Sequence, residues 1–124
     1  MNQTIETTLL APFEIWEVPF DNAMIKFHKP LVLTPMWMKS TWIPEDSDEP
    51  EENEYLQVVD PELAIDVHGT NREELLEAVY FAIFMAWKHF VQVSDDRLLP
   101  ATKKIQQNYL ALAEVVDGYH AKRA

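Results

Sequence analysis

DVHGTNREELLEAVYFAIFMAWKHFV, residues 66–91, reads as the end of a strand, a glycine turn and a capped helix whose middle is apolar on every side. Asp66-Val67-His68 continues an alternation begun at Leu63 and Ile65, and Gly69 breaks it. Thr70 with Glu73, and Asn71 with Glu74, each fit the spacing in which a capping side chain and a carboxylate exchange hydrogen bonds at a helix start. Glu73, Glu74 and Glu77 suit the positive end of the helix dipole, and Lys88 and His89 the negative end. From Ala78 to Trp87 there is no charged or amide side chain. A helix with one solvated face does not read this way, so cover on two sides is predicted. Leu76, Val79, Tyr80, Ile83, Trp87 and Phe90 recur at three- and four-residue spacing and form the predicted sheet-facing stripe. Phe81, Phe84, Met85 and Val91 lie off that stripe. They are covered by a second helix, or they form an interface with a partner or a second copy of the chain, where aromatic residues and Met are favoured.

Working outward, Asp60-Pro61-Glu62 is a turn by its chemistry, and Tyr55–Val59 before it is a strand, so a hairpin feeds the helix. Upstream, Phe13–Phe20 has the β-formers and the Pro19 of an edge strand. Asp21-Asn22 is a turn, and Met24–Leu33 and Met36–Ile43 are further strands punctuated by Pro30 and Pro35. Residues 1–11 read as a loose lead-in. Downstream, Ser94–Pro100 is a short connector. Ile105, Tyr109, Leu112, Ala113 and Val116 mark an amphipathic helix from Ala101 to Val116, ending near Gly118 and antiparallel to the first. The expected fold is α+β, with one antiparallel sheet of four or five strands and two C-terminal helices packed on one face.

The chain has 124 residues, 48 % of them apolar, which is enough for one domain with a real core. It has no cysteine, so disulfides, thiolate nucleophiles and Cys-ligated zinc are excluded. It shows neither a signal-peptide pattern nor an apolar run long enough to span a bilayer, and a soluble cytoplasmic protein without membrane contact is expected.

Formal charge is −11, and seven of the 21 acids fall between residues 45 and 54. These are Glu45, Asp46, Asp48, Glu49, Glu51, Glu52 and Glu54. With Pro50 among them and no apolar residue, the segment reads as a mobile acidic loop and a candidate docking surface for a basic protein. The charge balance works against nucleic acid as a partner, since such binding rests on Lys and Arg meeting phosphates. The alternative is a small nucleic-acid-binding module at positions 26–42, where Lys26, His28, Lys29 and Lys39 interleave with Phe27, Trp37 and Trp42.

Asp66 and His68 share one face of their strand, the one pairing suited to acid–base or metal chemistry. No third ligand or nucleophile accompanies them, and His28, His89 and His120 have no metal-ligand spacing. The two glycines, Gly69 and Gly118, build no phosphate cradle, and the acidic segment lacks the central glycine of an EF-hand. No cofactor and no enzymatic activity are expected.

Gly69-Thr70-Asn71 with Glu73, Glu74 and Ala78, preceded by Asp60-Pro61-Glu62-Leu63, resembles the strand-to-helix junction of HicB-type antitoxins over residues 60–79. The resemblance implies a compact sheet-plus-helix scaffold, related to the double-stranded-RNA-binding fold, that masks a small basic ribonuclease.

Overall fold

The computed structural model describes residues 3–117, with backbone only at Asp95; Gly118 and His120 lie outside the described residues. The class is α+β, with seven strands in two antiparallel sheets and two helices. The single sheet of four or five strands expected from the sequence is replaced by sheets of four and three.

The three-stranded sheet is built on β2 (Phe13–Phe20) and β3 (Ala23–Leu33), joined by Asp21-Asn22 with Asp21 at φ 53°. In β2, Phe13 and Ile15 are buried, then Val18 and Phe20, so the inward phase shifts by one residue. The pairing shows why. Ile15 opposes Leu31 but Glu17 opposes Lys26, so Trp16 alone faces the four residues Phe27–Pro30. Pro30, which has no N–H to give the ladder, sits in that irregularity, and Trp16 turns out to solvent.

The other edge of β3 is taken by β7 (Ala113–Val116). The helix expected to reach Val116 therefore stops at Leu112. Ala113-Glu114-Val115-Val116 has two β-branched residues and an unpaired neighbour in Met24–Phe27, and ladder bonds there replace another helical turn.

The four-stranded sheet has the order β1-β4-β5-β6, with β1 (Gln3–Leu9), β4 (Met36–Trp42), β5 (Glu51–Asp60) and β6 (Ile65–Gly69). Two expectations fail here. Residues 3–9 of the supposed lead-in form a strand in unbroken register with β4, and four of the seven, Thr4, Ile5, Thr7 and Thr8, are β-branched. The acidic loop is shorter than residues 45–54, because Glu51, Glu52 and Glu54 belong to β5 opposite Trp42, Thr41 and Lys39. Backbone pairing and a Lys39–Glu52 ion pair at 3.3 Å outweigh glutamate's poor strand propensity.

The Pro61–Leu63 turn between β5 and β6 is 3-10 helical, with Asp60 Oδ1 accepting from Glu62 N at 3.1 Å. Helix α1 (Arg72–Ala86) runs on into a π-helical turn, Trp87–Val91, and α2 is Pro100–Leu112. At the start of α1, Asn71 Oδ1 accepts from Glu74 N at 2.8 Å, and Glu74's carboxylate accepts from Thr70 N at 3.2 Å and Thr70 Oγ1 at 3.0 Å. Of the two predicted caps the later one, at Asn71, forms. Arg72 leans back over the Phe13 ring at 4.2 Å and donates to the carbonyls of Ala11 and Pro12 at 2.7 and 3.1 Å, locking this helix end onto β2.

The helix packs on the inner face of β5 and β6 and against β2, so cover comes from both sheets. Its fully buried residues are Leu75, Val79, Ile83, Ala86 and Trp87; Leu76, Tyr80 and Phe90 of the predicted stripe are only half-buried. Helix α2 packs on the π-helical turn, the 3-10 turn and the β3–β7 pair rather than along α1. Trp87 meets Tyr109 edge-on at 6.0 Å, and Gln106 Nε2 donates to the carbonyls of Val91 and Val93. The antiparallel helix pair expected from the short connector is not formed.

Candidate functional site

The four off-stripe residues of α1 and its π-helical extension are not kept together. Phe84 is half-buried with its ring 5.3 Å from Phe20 on β2, so a sheet rather than α2 supplies its second cover. Val91 is half-buried on the π-helical turn, where its carbonyl accepts from Gln106. Phe81 is 63 % exposed and Met85 half-buried. The middle of the helix, apolar on every side, is therefore left unshielded at Phe81.

Phe81 and Met85 line a cleft of about 350 Å³ with Ala64, Ala82, Ala86, His89 and Phe90. Apart from His89 its lining is apolar, made of three alanines, two aromatic rings and a thioether. Ala64 caps the 3-10 turn in the left-handed conformation at φ 56°, ψ 40°. Sequence reasoning found Phe81 and Met85 from their phase on the helix. It missed Ala64, whose conformation leaves no trace in residue type, and it placed Phe90 on the sheet-facing stripe.

A second cleft of about 450 Å³, lined by residues with polar groups, opens where β5 and β6 meet the start of α1, among Asn53, Tyr55, His68, Gly69, Thr70 and Glu74. It adjoins a trough of about 390 Å³ lined by Gln3, Ser40, Trp42, Asn53 and Tyr55. His68 meets the Tyr55 ring edge-on at 5.7 Å. Asp66 stands outside the cleft and accepts from Gln57 Nε2 at 3.3 Å, so the Asp66–His68 pair is divided between neighbours rather than focused on one point. Glu74 is engaged by Thr70. The geometry offers hydrogen bonds to a small polar group but sets no base against a nucleophile. Among the described residues, no three His, Asp or Glu side chains are grouped to hold a metal ion, and no helix is long and apolar enough to cross a membrane.

The basic and aromatic positions between 26 and 42 fall on two different sheets. Lys26 on β3 lies between Glu17 and Glu114 on its two neighbouring strands, and Lys39 on β4 lies between Glu6 and Glu54 and pairs with Glu52. Phe27 is buried in the core. The groups are thus divided between two sheets, and Lys26 and Lys39 are each flanked by glutamates. The acidic residues Glu45, Asp46, Asp48 and Glu49 stay exposed in the loop, with Glu51, Glu52 and Glu54 exposed on the adjoining end of β5.

Comparison of the chain with protein-family models, curated proteins and solved structures yields no match.

Proposed function

We propose that this chain is a non-enzymatic protein-interaction domain that seats an apolar side chain of a basic partner protein in the cleft formed by Ala64, Phe81, Met85 and Phe90. The observation that carries this reading is the exposure of Phe81, a large apolar side chain, in the middle of α1 between the half-buried Tyr80 and Ala82. Burying a Phe side chain is worth about 1.5–3 kcal/mol, and partner surfaces favour aromatic and Met anchors in recessed sites of this kind. Glu77 precedes Phe81 by one helical turn on the same row, and the formal charge of −11 favours approach of a positively charged surface. On this reading the domain is a diverged HicB-like scaffold. The resemblance rests on the β5–β6 hairpin and the capped start of α1, and its implied partner is a small basic protein.

The test is affinity capture from the source cell with the intact chain and with Phe81→Glu. Recovery of a basic protein by the intact chain, reduced at least tenfold by Phe81→Glu, supports the reading. Equal recovery by both chains overturns it.

A further inference from the structure

The described part of the fold has four edge strands, and three are protected. In the three-stranded sheet β2 carries Pro19 and the irregularity at Trp16, and β7 has only four residues. In the other sheet β6 has five residues and turns directly into α1. Strand β1 differs from all of these. Its seven residues are all exposed, its register with β4 is unbroken, it has no proline or bulge, and its single charge, Glu6, stands opposite Lys39 of β4. A long, flat edge with so little protection is a template for pairing with a further strand.

The geometry points to a second copy of this chain as the occupant, with β1 pairing antiparallel to β1 of the copy and Thr7 opposite Thr7. This goes beyond the α1 cleft and does not depend on it. A two-fold axis normal to the sheet sets a residue against itself and its neighbours against one another in reciprocal pairs. Within Gln3–Leu9 the axis has three central positions. At Glu6 two carboxylates would face each other directly, which is destabilising. At Ile5 the apolar Leu9 is left beyond the pairing. At Thr7 the two apolar residues of the strand, Ile5 and Leu9, meet each other twice, two threonines form the central pair, and each Glu6 faces a Thr8. Ile5 and Leu9 are 57 % and 66 % exposed and stand on the same face as Met36 and Met38 of β4, so this pairing extends an existing apolar strip across the axis. The two four-stranded sheets become one of eight strands.

The chain has no cysteine, which makes the register directly testable. Directly opposed residues in an antiparallel pair have Cα atoms about 4.5–5.5 Å apart, within the range a disulfide spans. Thr7→Cys should therefore give a covalent dimer on mild oxidation. Thr4→Cys, whose two copies would lie ~20 Å apart along the strands, should not. The unmodified chain should shift from 14.5 kDa toward twice that mass as concentration rises. Because both subunits are negative, salt should strengthen the association. Thr7→Lys should weaken it at least tenfold with circular dichroism unchanged, and Phe81→Glu should leave it intact. A mass fixed at the monomer value at all concentrations, equal cross-linking at Thr4 and Thr7, or loss of the dimer in Phe81→Glu would each overturn the inference.

Discussion

Tyr109, in the last turns of α2, donates its hydroxyl to the backbone carbonyl of Leu63 at 2.6 Å, across 46 residues of chain. Tyr109 is fully buried against Trp87, and Leu63 is the last residue of the 3-10 turn that launches β6. One hydrogen bond thus fixes the terminal helix to the turn from which the central strand-to-helix unit starts. Asn108 adds a second tie one residue earlier, donating from Nδ2 to the carbonyl of Glu62 at 2.8 Å.

Removing that hydroxyl leaves a buried carbonyl without its partner. Tyr109→Phe is expected to lower stability by about 1–3 kcal/mol, read as a reduced midpoint in urea with an unchanged slope. The pH dependence has a definite sign. Burial, with a smaller contribution from the Asp60 carboxylate, raises the phenol's pKa well above its ordinary value near 10. The folded state therefore holds the proton more tightly than the unfolded state. The contribution is fully present below about pH 10 and is lost as pH rises further, by at most about 1.4 kcal/mol per pH unit. The difference in stability between the intact chain and Tyr109→Phe should be constant at neutral pH and shrink above pH 10. A constant difference through pH 11 would contradict this account.

Ala64 holds a left-handed backbone that costs a residue with a Cβ about 1–2 kcal/mol. Glycine removes that cost but adds about 0.5–1 kcal/mol of unfolded-state entropy. Ala64→Gly should therefore stabilise the domain slightly, by up to about 1 kcal/mol, seen as a rise of a few degrees in Tm. Ala64→Val, with a branched Cβ in the same conformation, should lower Tm.

Gly69 is required by contact rather than by backbone conformation. A Cβ there would stand 2.9 Å from Leu75 N and 3.2 Å from Leu75 Cα, both backbone atoms of the first turn of α1. Neither can swing aside as a side chain would. Gly69→Ala should cost about 1–3 kcal/mol by overpacking, and Asn71→Ala about 1 kcal/mol by loss of the cap. Chemical denaturation of the two variants separates them in that order.

The same junction shows how much of the fold was legible in the sequence. Capping chemistry is local, so Asn71 and Glu74 announced the start of α1, and Asp60-Pro61 announced the turn before β6. Pairing is not local. Gln3–Leu9 looks unstructured until Met36–Trp42 is beside it, and Glu51–Glu54 looks like a loop until Lys39 and Thr41 face it. Ala113–Val116 fits the helical period as well as the strand that the free edge of β3 makes of it. For the candidate site, helical phase singled out Phe81 and Met85 correctly as off the core. It said nothing of Ala64, which reaches the cleft only through the 3-10 turn, nor of Phe20, which covers Phe84 from the other sheet.

Phe81 and Ile83 stand two residues apart on α1 and should respond in opposite ways. Ile83 is fully buried between the sheets, so Ile83→Ala should cost about 2–5 kcal/mol, the transfer of its methyl groups plus the cavity they leave. Phe81 is largely exposed and its removal opens no void, although it gives up part of its contact with Phe84 at 6.4 Å. Phe81→Ala should therefore stay within about 0.5 kcal/mol of the intact chain. The two effects are measured in one urea series. A large loss for Phe81→Ala would make the residue a structural support of α1 and remove the basis for reading its exposure as a partner site. A loss confined to Ile83→Ala leaves Phe81 as a side chain whose burial the lone subunit does not need.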